Sequence, residues 1–218
     1  MSDKEIILDG IIFSIQRYGG ISVYFKELLK VIANSSYSVD LLLDAPLMQS
    51  LDDIAGSAKV THRTARYFER FRPCRTSGKR GVYHSSYYRT PSSGPHMPTV
   101  VTVHDFIHEK FGRGLRSFAH SAQKRLAIKS AQAIICISET TKADLIDLVG
   151  IGAAQTVHVI PNGVSETFKP IAKSGNVAKP FMLFVGERRR YKNFRLAAQA
   201  LAHLEGLELW AIGGGPQT

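Results

Sequence analysis

A histidine and an aspartate, His104 and Asp105, directly follow a β-branched run at residues 99–103 that predicts a strand. In parallel α/β sheets, ligands bind beyond the carboxyl ends of the strands. An imidazole and a carboxylate at such a position can exchange protons or hydrogen bonds with a substrate. We therefore predict that His104 and Asp105 are catalytic. The sequence leaves open the alternative of a surface histidine beside a helix-capping aspartate.

The same segment carries His108, four residues after His104. Two histidines around a carboxylate suggest a metal site, but the segment lacks the glutamate of the helical zinc motif. It also begins at a strand end, so the two rings need not converge on one ion. We expect no metal here.

The pair Gly19 and Gly20 precedes a helical pattern that begins near Ile21. Glycines let a ligand approach the backbone closely, and a helix N-terminus attracts anions. We predict that this pair approaches a phosphate group. A plain tight turn is the alternative.

A basic run at residues 186–193 lies between a predicted strand and a predicted helix. It brings Arg188 and Lys192 to a helix start, where the dipole also favours anions. We predict a diphosphate clamp, with a solvated basic turn as the alternative. The glycine-rich residues 213–216 lack the Lys-Ser/Thr of a phosphate loop.

The loops that carry these residues separate short apolar runs from helical stretches. The apolar runs predict strands at residues 6–8, 39–43, 82–84, 98–103, 133–137, 156–160, 181–185 and 207–212. Strand–helix repetition of this kind predicts an α/β fold with parallel, Rossmann-like sheets. By the same strand-end rule, the loops at Ser138, Asn162 and Gly163 are predicted to line the substrate cleft. The first long helix is predicted to share one apolar face among Val23, Leu28, Val31 and Ile32.

The pattern divides into a Rossmann-like domain at residues 1–165, a linker at 166–179 and a second strand–helix–strand segment at 180–218. Two strands and one helix cannot bury both faces of a sheet. We therefore expect an incomplete second Rossmann-like domain, in a fragment of a longer protein or a truncated gene product.

The net charge of +10 favours an anionic partner, which could be nucleic acid, an anionic membrane face or a phosphate-bearing small molecule. It could also serve solubility alone. The stretch 62–80 interleaves cations with Tyr67, Phe68 and Phe71. This indicates a membrane-surface or nucleic-acid element, or a loop whose aromatic side chains pack inward. Of the two cysteines, Cys74 lies in a polar stretch where it could be exposed, and Cys136 lies in a buried strand; a reducing cytoplasm fits both.

Six segments in order across nearly the whole chain carry a family resemblance. They are Leu8–Phe13 with Gln16–Ser22, Thr102–Asp105, Ile137–Glu139, Val159–Val164, Phe184–Gly186 and Tyr191–Asn193. The chain resembles family-4 glycosyltransferases of the GT-B type, especially mannosyltransferase-like members that build bacterial surface polysaccharides. The resemblance implies that residues 1–165 are the acceptor-side domain and that the second domain binds a nucleotide sugar.

The resemblance also implies roles for individual residues. Gly19 and Gly20 would approach the donor diphosphate, His104 would contact the donor sugar near the reacting carbon, and Arg188 and Lys192 would hold the diphosphate. Transfer would retain the anomeric configuration and need no metal or other cofactor. The acceptor would be a glycan or a lipid-linked glycan, and the protein would be cytoplasmic, with a peripheral contact on the inner face of an anionic membrane as one alternative.

The family's pair of glutamates, seven residues apart, would fall beyond Thr218. We therefore expect the 218-residue chain alone to be inactive. A non-catalytic module that binds a glycan or a phosphate on a Rossmann-like domain is the main alternative. A nucleic-acid-binding protein is a further one, suggested by the charge alone, and no nucleic-acid partner is expected.

Overall fold

The computed structural model describes residues 5–17, 19–48, 51, 56, 58–165, 168–170, 179–188 and 190–213. Contacts divide the chain into two compact units, Met1–Gly163 and Val164–Thr218. Most of the predicted linker at 166–179 lies outside the described residues, as does the 213–216 loop apart from Gly213.

Within its described residues, the first unit forms a seven-stranded parallel sheet. Its strands are β1 (Glu5–Asp9), β2 (Ser38–Leu43), β3 (Lys59–His62), β4 (Val82–Ser85), β5 (Thr99–Val103), β6 (Ala133–Cys136) and β7 (Thr156–Val159). Their order is β3-β2-β1-β4-β5-β6-β7, with every neighbouring pair parallel. The chain runs from β1 outward to β3 and returns to β4 on the other side of β1. The strand order therefore reverses between β1 and β4, which is where such sheets bind ligands.

Five helices accompany this sheet in the described part of the first unit. They are α1 (Ile12–Ile15), α2 (Gly20–Ala33), α3 (Ile107–Phe111), α4 (Leu115–Ser130) and α5 (Glu139–Leu148). The α/β Rossmann-like architecture predicted from the sequence is confirmed. The strand β3 and the helix α3 were not predicted, since each is too short and too polar to show a period.

The buried face of α2 differs from the predicted one. Val23 and Val31 are 53% and 69% exposed, whereas Phe25 and Leu29 are fully buried. The small residues Ser22 and Ala33 complete the buried face, which lets the helix approach the sheet closely. Of the predicted face, Leu28 and Ile32 pack partly buried against the core, while full burial falls on Phe25, which was predicted to flank that face, and on Leu29.

The cores of the first unit lie on the two halves of the sheet. One core joins Leu8 and Leu41 of the strands to Phe25 and Leu29 of α2. The other joins strands β5 and β6 to helices α4 and α5, with Val103, Ile128, Ile134, Cys136 and Leu145 among its members. Burial raises the pKa of the Cys136 thiol to about 11. Cys74 is also fully buried, contrary to the exposure that its polar neighbours suggested.

The described residues of the second unit form a β-α-β segment. It consists of β8 (Phe181–Val185), a 3-10 turn (Arg190–Lys192), α6 (Phe194–Leu201) and β9 (Glu208–Ile212). The strands β8 and β9 pair in parallel, with Leu183 opposite Trp210. In the described ranges of both units, every helix is too short or too polar to span a bilayer.

Candidate active site

His104 follows the carboxyl end of β5 and lies beneath the first turns of α2. Its ring packs edge-on against the ring of Tyr24, with centroids 5.1 Å apart, and near that of Phe25 at 6.2 Å. The residue is only 8% exposed, and its buried Nε2 atom has no hydrogen-bond partner among the residues that the structure describes. A buried polar atom without a partner is uncommon in folded proteins, so this nitrogen calls for a partner that a ligand or an ordered water could supply.

Burial keeps the His104 ring uncharged. Desolvation lowers its pKa to about 4, with Lys124 acting in the same direction and Asp105 opposing it. At neutral pH the ring is therefore a neutral hydrogen-bonding group. A neutral imidazole suits contact with a sugar hydroxyl better than attraction of a diphosphate, because one of its nitrogens donates and the other accepts.

A second buried histidine supports this wall. The Nε2 atom of His84 lies 2.9 Å from the hydroxyl of Thr102, which in turn lies 3.5 Å from the hydroxyl of Tyr24. Burial lowers the pKa of His84 to about 4, and the neighbouring His104 adds to the effect. This polar chain fixes Tyr24, and with it α2, over strands β4 and β5.

Gly19 and Gly20 form the start of α2, as the sequence predicted. A Cβ atom on Gly19 would lie 2.1 Å from the side chain of Gln16, whereas one on Gly20 would meet nothing within 4 Å. The Gln16 side chain accepts a hydrogen bond from the backbone N–H of Ser22, 3.1 Å away, and so caps the helix. The space over Gly20 is therefore open, while Gly19 is needed for the cap.

The sequence predicted a catalytic carboxylate at Asp105. In the structure this carboxylate accepts a hydrogen bond from the local backbone. Its Oδ1 atom accepts a hydrogen bond from the backbone N–H of Ile107 at 3.1 Å, where α3 begins. The backbone carbonyl of Asp105 accepts a second hydrogen bond, at 2.9 Å, from the buried ammonium of Lys124. Both contacts fix the turn that carries His104.

Lys124 is a positioning residue that the sequence did not reveal. Its side chain is 1% exposed and pairs with Glu109 at 2.8 Å. Its ammonium also lies over the ring of Phe106 at 4.7 Å. A lysine in the middle of a helical pattern is usually assigned to the solvent face, so nothing in the sequence singled it out.

His104 and His108, which were considered as metal ligands from the sequence and not favoured, contact different partners. The ring of His108 packs at a tilt of 38° against that of His120, with centroids 4.2 Å apart, and its Nδ1 atom lies 3.3 Å from the Ser117 hydroxyl. Among the described residues, no group of three or more histidine, cysteine, aspartate or glutamate side chains comes together in a metal-binding cluster.

Ser138 lies after β6, next to the strand that carries His104. Its hydroxyl accepts the backbone N–H of Thr141 at 3.1 Å and caps α5. The Thr141 hydroxyl donates to the His104 carbonyl at 3.4 Å, so the α5 start and the His104 turn are joined. Asn162 and Gly163 follow β7, one strand farther out, and both are exposed.

A buried ionic cluster at the same sheet edge also escaped the sequence analysis. The guanidinium of Arg89, which is 1% exposed, pairs with Asp9 at the end of β1, Asp44 after β2 and Glu69. Burial would raise the pKa of Glu69, but hydrogen bonds from Arg66 and the charge of Arg89 lower it to about 2. The cluster joins the ends of β1, β2 and β4 near the place where the strand order reverses.

In the second unit, both predicted phosphate-binding cations lie in the turn between β8 and α6. The Nζ atom of Lys192 lies 2.8 Å from the place that a Cβ on Gly186 would occupy. The guanidinium of Arg188 lies over the ring of Phe194, 5.3 Å from its centroid. Gly186 has a φ of +125°, which a side chain rarely adopts, so the lysine can cross its backbone closely.

The sequence profile of Glycosyltransferase Family 4 matches residues 18–168. Because this match covers more than half of the chain, the protein belongs to that family. The predicted resemblance to family-4 glycosyltransferases is thereby confirmed at the level of the family.

The fold matches a solved member of the GT-B class, sucrose-phosphate synthase from Thermosynechococcus elongatus, with a TM-score of 0.70 at 16% identity. The match covers 98% of this chain and 63% of that structure. At this identity the likeness concerns the fold alone. No curated protein sequence matches the chain.

Proposed function

We propose that this protein acts in a retaining glycosyltransferase that moves a sugar from a nucleotide sugar to a glycan or lipid-linked acceptor in polysaccharide biosynthesis. The proposal rests on His104, which is buried and neutral and follows strand β5 in a family-4 domain. Its Nε2 atom lacks a hydrogen-bond partner among the described residues. A hexose, with mannose as the first candidate, is the sugar that we propose.

His104 would make one hydrogen bond to a hydroxyl of the donor sugar and so orient the reacting carbon. Satisfying a buried polar atom that has no partner adds to the affinity for a ligand that supplies one. Asp105 would act as a positioning residue, because its carboxylate caps α3 directly after the His104 turn.

Arg188 and Lys192 would hold the donor diphosphate. The nucleoside diphosphate leaves with growing negative charge, and fixed cations beside it lower the barrier. In the first unit, Gly20 would leave the N-terminus of α2 open to a phosphate group, since a Cβ atom there would meet none of the described residues within 4 Å. We expect no metal ion to be required, since these cations would balance the charge.

The test is sugar transfer by the full-length protein purified from its source. Radiolabelled nucleoside diphosphate sugars would be offered with lipid-linked glycans extracted from the same cells, and the product anomer would be determined by NMR. We expect transfer with retention, a loss of up to about tenfold for His104→Ala, which removes one neutral hydrogen bond, and normal activity for the exposed control Val31→Ser. Binding of a glycan or nucleotide without any transfer would favour the non-catalytic module instead.

A further inference from the structure

The exposed side of α4 carries three large apolar residues, which is unusual for a surface helix. Leu115, Phe118 and Leu126 are 87%, 73% and 61% exposed and share one face of the helix. The opposite face, turned toward the domain, buries His120 and Lys124. A helix that faced only water would be expected to expose its polar residues and bury its large apolar ones.

A second group of exposed aromatic side chains lies on the segment before β4. Tyr67 and Phe68 are 89% and 79% exposed, and Phe71 is 48% exposed. The inward packing that the sequence left open is therefore wrong. Phe68 adopts a left-handed backbone conformation with a φ of 56°, which is uncommon for a bulky residue and needs support from its surroundings.

That support comes from the next residue. Glu69 is buried and pairs with Arg66 at 2.7 Å and with Arg89 at 2.8 Å. The ion pairs of Glu69 thus hold the backbone that carries the exposed aromatic side chains of Tyr67 and Phe68. Binding through it costs little conformational entropy, because the backbone is already ordered.

The segments that carry the two apolar groups are in contact. The side chain of Gln123 on α4 donates a hydrogen bond to the carbonyl of Arg70, 2.7 Å away, in the turn between Phe68 and Phe71. The Arg70 guanidinium also lies over the ring of Tyr87, which contacts His120 of α4. We call Tyr67, Phe68, Phe71, Leu115, Phe118 and Leu126 the apolar face.

Cations border the apolar face, and acidic residues are missing from α4. Arg72 is exposed beside Phe71, and Arg113 and Arg116 are exposed on either side of Leu115. The sequence of α4 contains no aspartate or glutamate. The whole chain carries a net charge of +10, so its long-range field also attracts anions.

We propose that the apolar face docks on an anionic phospholipid bilayer. The aromatic and leucine side chains would enter the boundary between headgroups and acyl chains, and the arginines would contact lipid phosphates. A second copy of the chain fits less well, because a symmetric contact would bring two arginine-bordered faces together, with no carboxylate on either α4 to pair with them. The proposal does not depend on sugar transfer.

The experiment is sedimentation of the protein with vesicles of phosphatidylcholine alone or of phosphatidylcholine with an equimolar share of phosphatidylglycerol. We expect binding to the mixed vesicles. Phe118→Ser should weaken it about tenfold, since a buried phenyl group contributes about 1.5–3 kcal/mol when fully inserted. Arg113→Gln and Arg116→Gln should each weaken it about fivefold.

Two matched control substitutions delete an apolar side chain and a cation that lie outside the apolar face. Val31→Ser deletes an apolar side chain that is 69% exposed on α2, and Lys59→Gln deletes an exposed cation on β3. Both should bind vesicles like the unmodified protein. Circular dichroism would establish that every variant is folded, which is expected because all the altered side chains are exposed.

Three results would overturn the proposal. One is equal binding by Phe118→Ser and Val31→Ser. Another is equal binding to both vesicle types with no effect of the arginine substitutions. The third is a self-associated protein in ultracentrifugation that Phe118→Ser makes monomeric, together with no vesicle binding, which would assign the apolar face to a second copy. Because the readout is sedimentation, failure of sugar transfer would leave the result unchanged.

Discussion

The side chains of Asp9 and Arg89 form a doubly hydrogen-bonded ion pair that is wholly buried. Nε of Arg89 lies 2.9 Å from Oδ2 of Asp9, and Nη2 lies 2.5 Å from Oδ1. The pair joins the carboxyl end of β1 to the loop after β4 across the point where the strand order reverses. The edge of the sheet at which we place the active site is therefore held by a charge pair.

Arg89→Ala should destabilise the protein by about 3–5 kcal/mol, because it leaves three buried carboxylates without their shared cation. Urea unfolding followed by circular dichroism measures the change. Arg72→Ala, which removes an exposed arginine, should change the free energy of unfolding by less than about 0.5 kcal/mol. Similar effects of the two substitutions would mean that the cluster is not stabilising.

Acid should weaken the fold through Glu69. Its pKa is about 2 in the folded state against an ordinary 4.5. Since the unfolded chain binds the proton more readily, the contribution is complete above about pH 4.5 and is lost as the pH falls toward 2. It amounts to up to about 3 kcal/mol. In Glu69→Gln, unfolding free energy should decline less steeply over this range, and an unchanged slope would contradict the assignment.

His84 should act over a higher pH window. Its pKa is about 4 in the folded protein against an ordinary 6.5. The folded state holds the ring neutral, so stability present above pH 6.5 is lost as the pH falls toward 4. NMR titration of the imidazole measures the pKa directly. A value near 6.5 would contradict the buried neutral ring.

The two neighbouring glycines should respond differently to alanine. Gly19→Ala must displace the Gln16 side chain, which caps α2, and should cost about 1 kcal/mol of stability. Gly20→Ala has room and should leave stability unchanged or slightly raised. If a diphosphate binds over α2, Gly20→Ala should nevertheless weaken nucleotide-sugar binding in calorimetry. Equal affinity in Gly20→Ala and the unmodified protein would argue against that position.

Arg188→Gln and Lys192→Gln should each weaken the binding of GDP or UDP about tenfold or more, because hydrogen bonds to charged groups contribute about 1.5–3 kcal/mol. Titration calorimetry of the full-length protein measures the dissociation constants. The exposed Arg195, two residues beyond Asn193, provides the matched control Arg195→Gln. A loss of affinity in the control as large as in the other two would indicate general charge attraction.

The sequence by itself determined the class of fold and the family. Strands β1, β2, β4, β5, β6 and β7 lie within about two residues of the predicted runs, because apolar periodicity reflects local burial and needs no knowledge of neighbours. The segments that contain His104, Gly19 and Lys192 were selected from the sequence because each follows a predicted strand. The edge strand β3 was missed, since its sequence Lys-Val-Thr-His alternates too little to stand out.

Only the tertiary structure decided which strand ends meet and what their side chains contact. The order of strands put Asp9, Asp44 and Arg89 together across long sequence distances, and no local pattern encodes such a pairing. Burial made His104 neutral and left its Nε2 without a partner. It also turned the polar side of α4 inward around Lys124 and left Phe118 exposed. A periodic pattern identifies a helix, but the side that faces the core depends on what the rest of the chain packs against it.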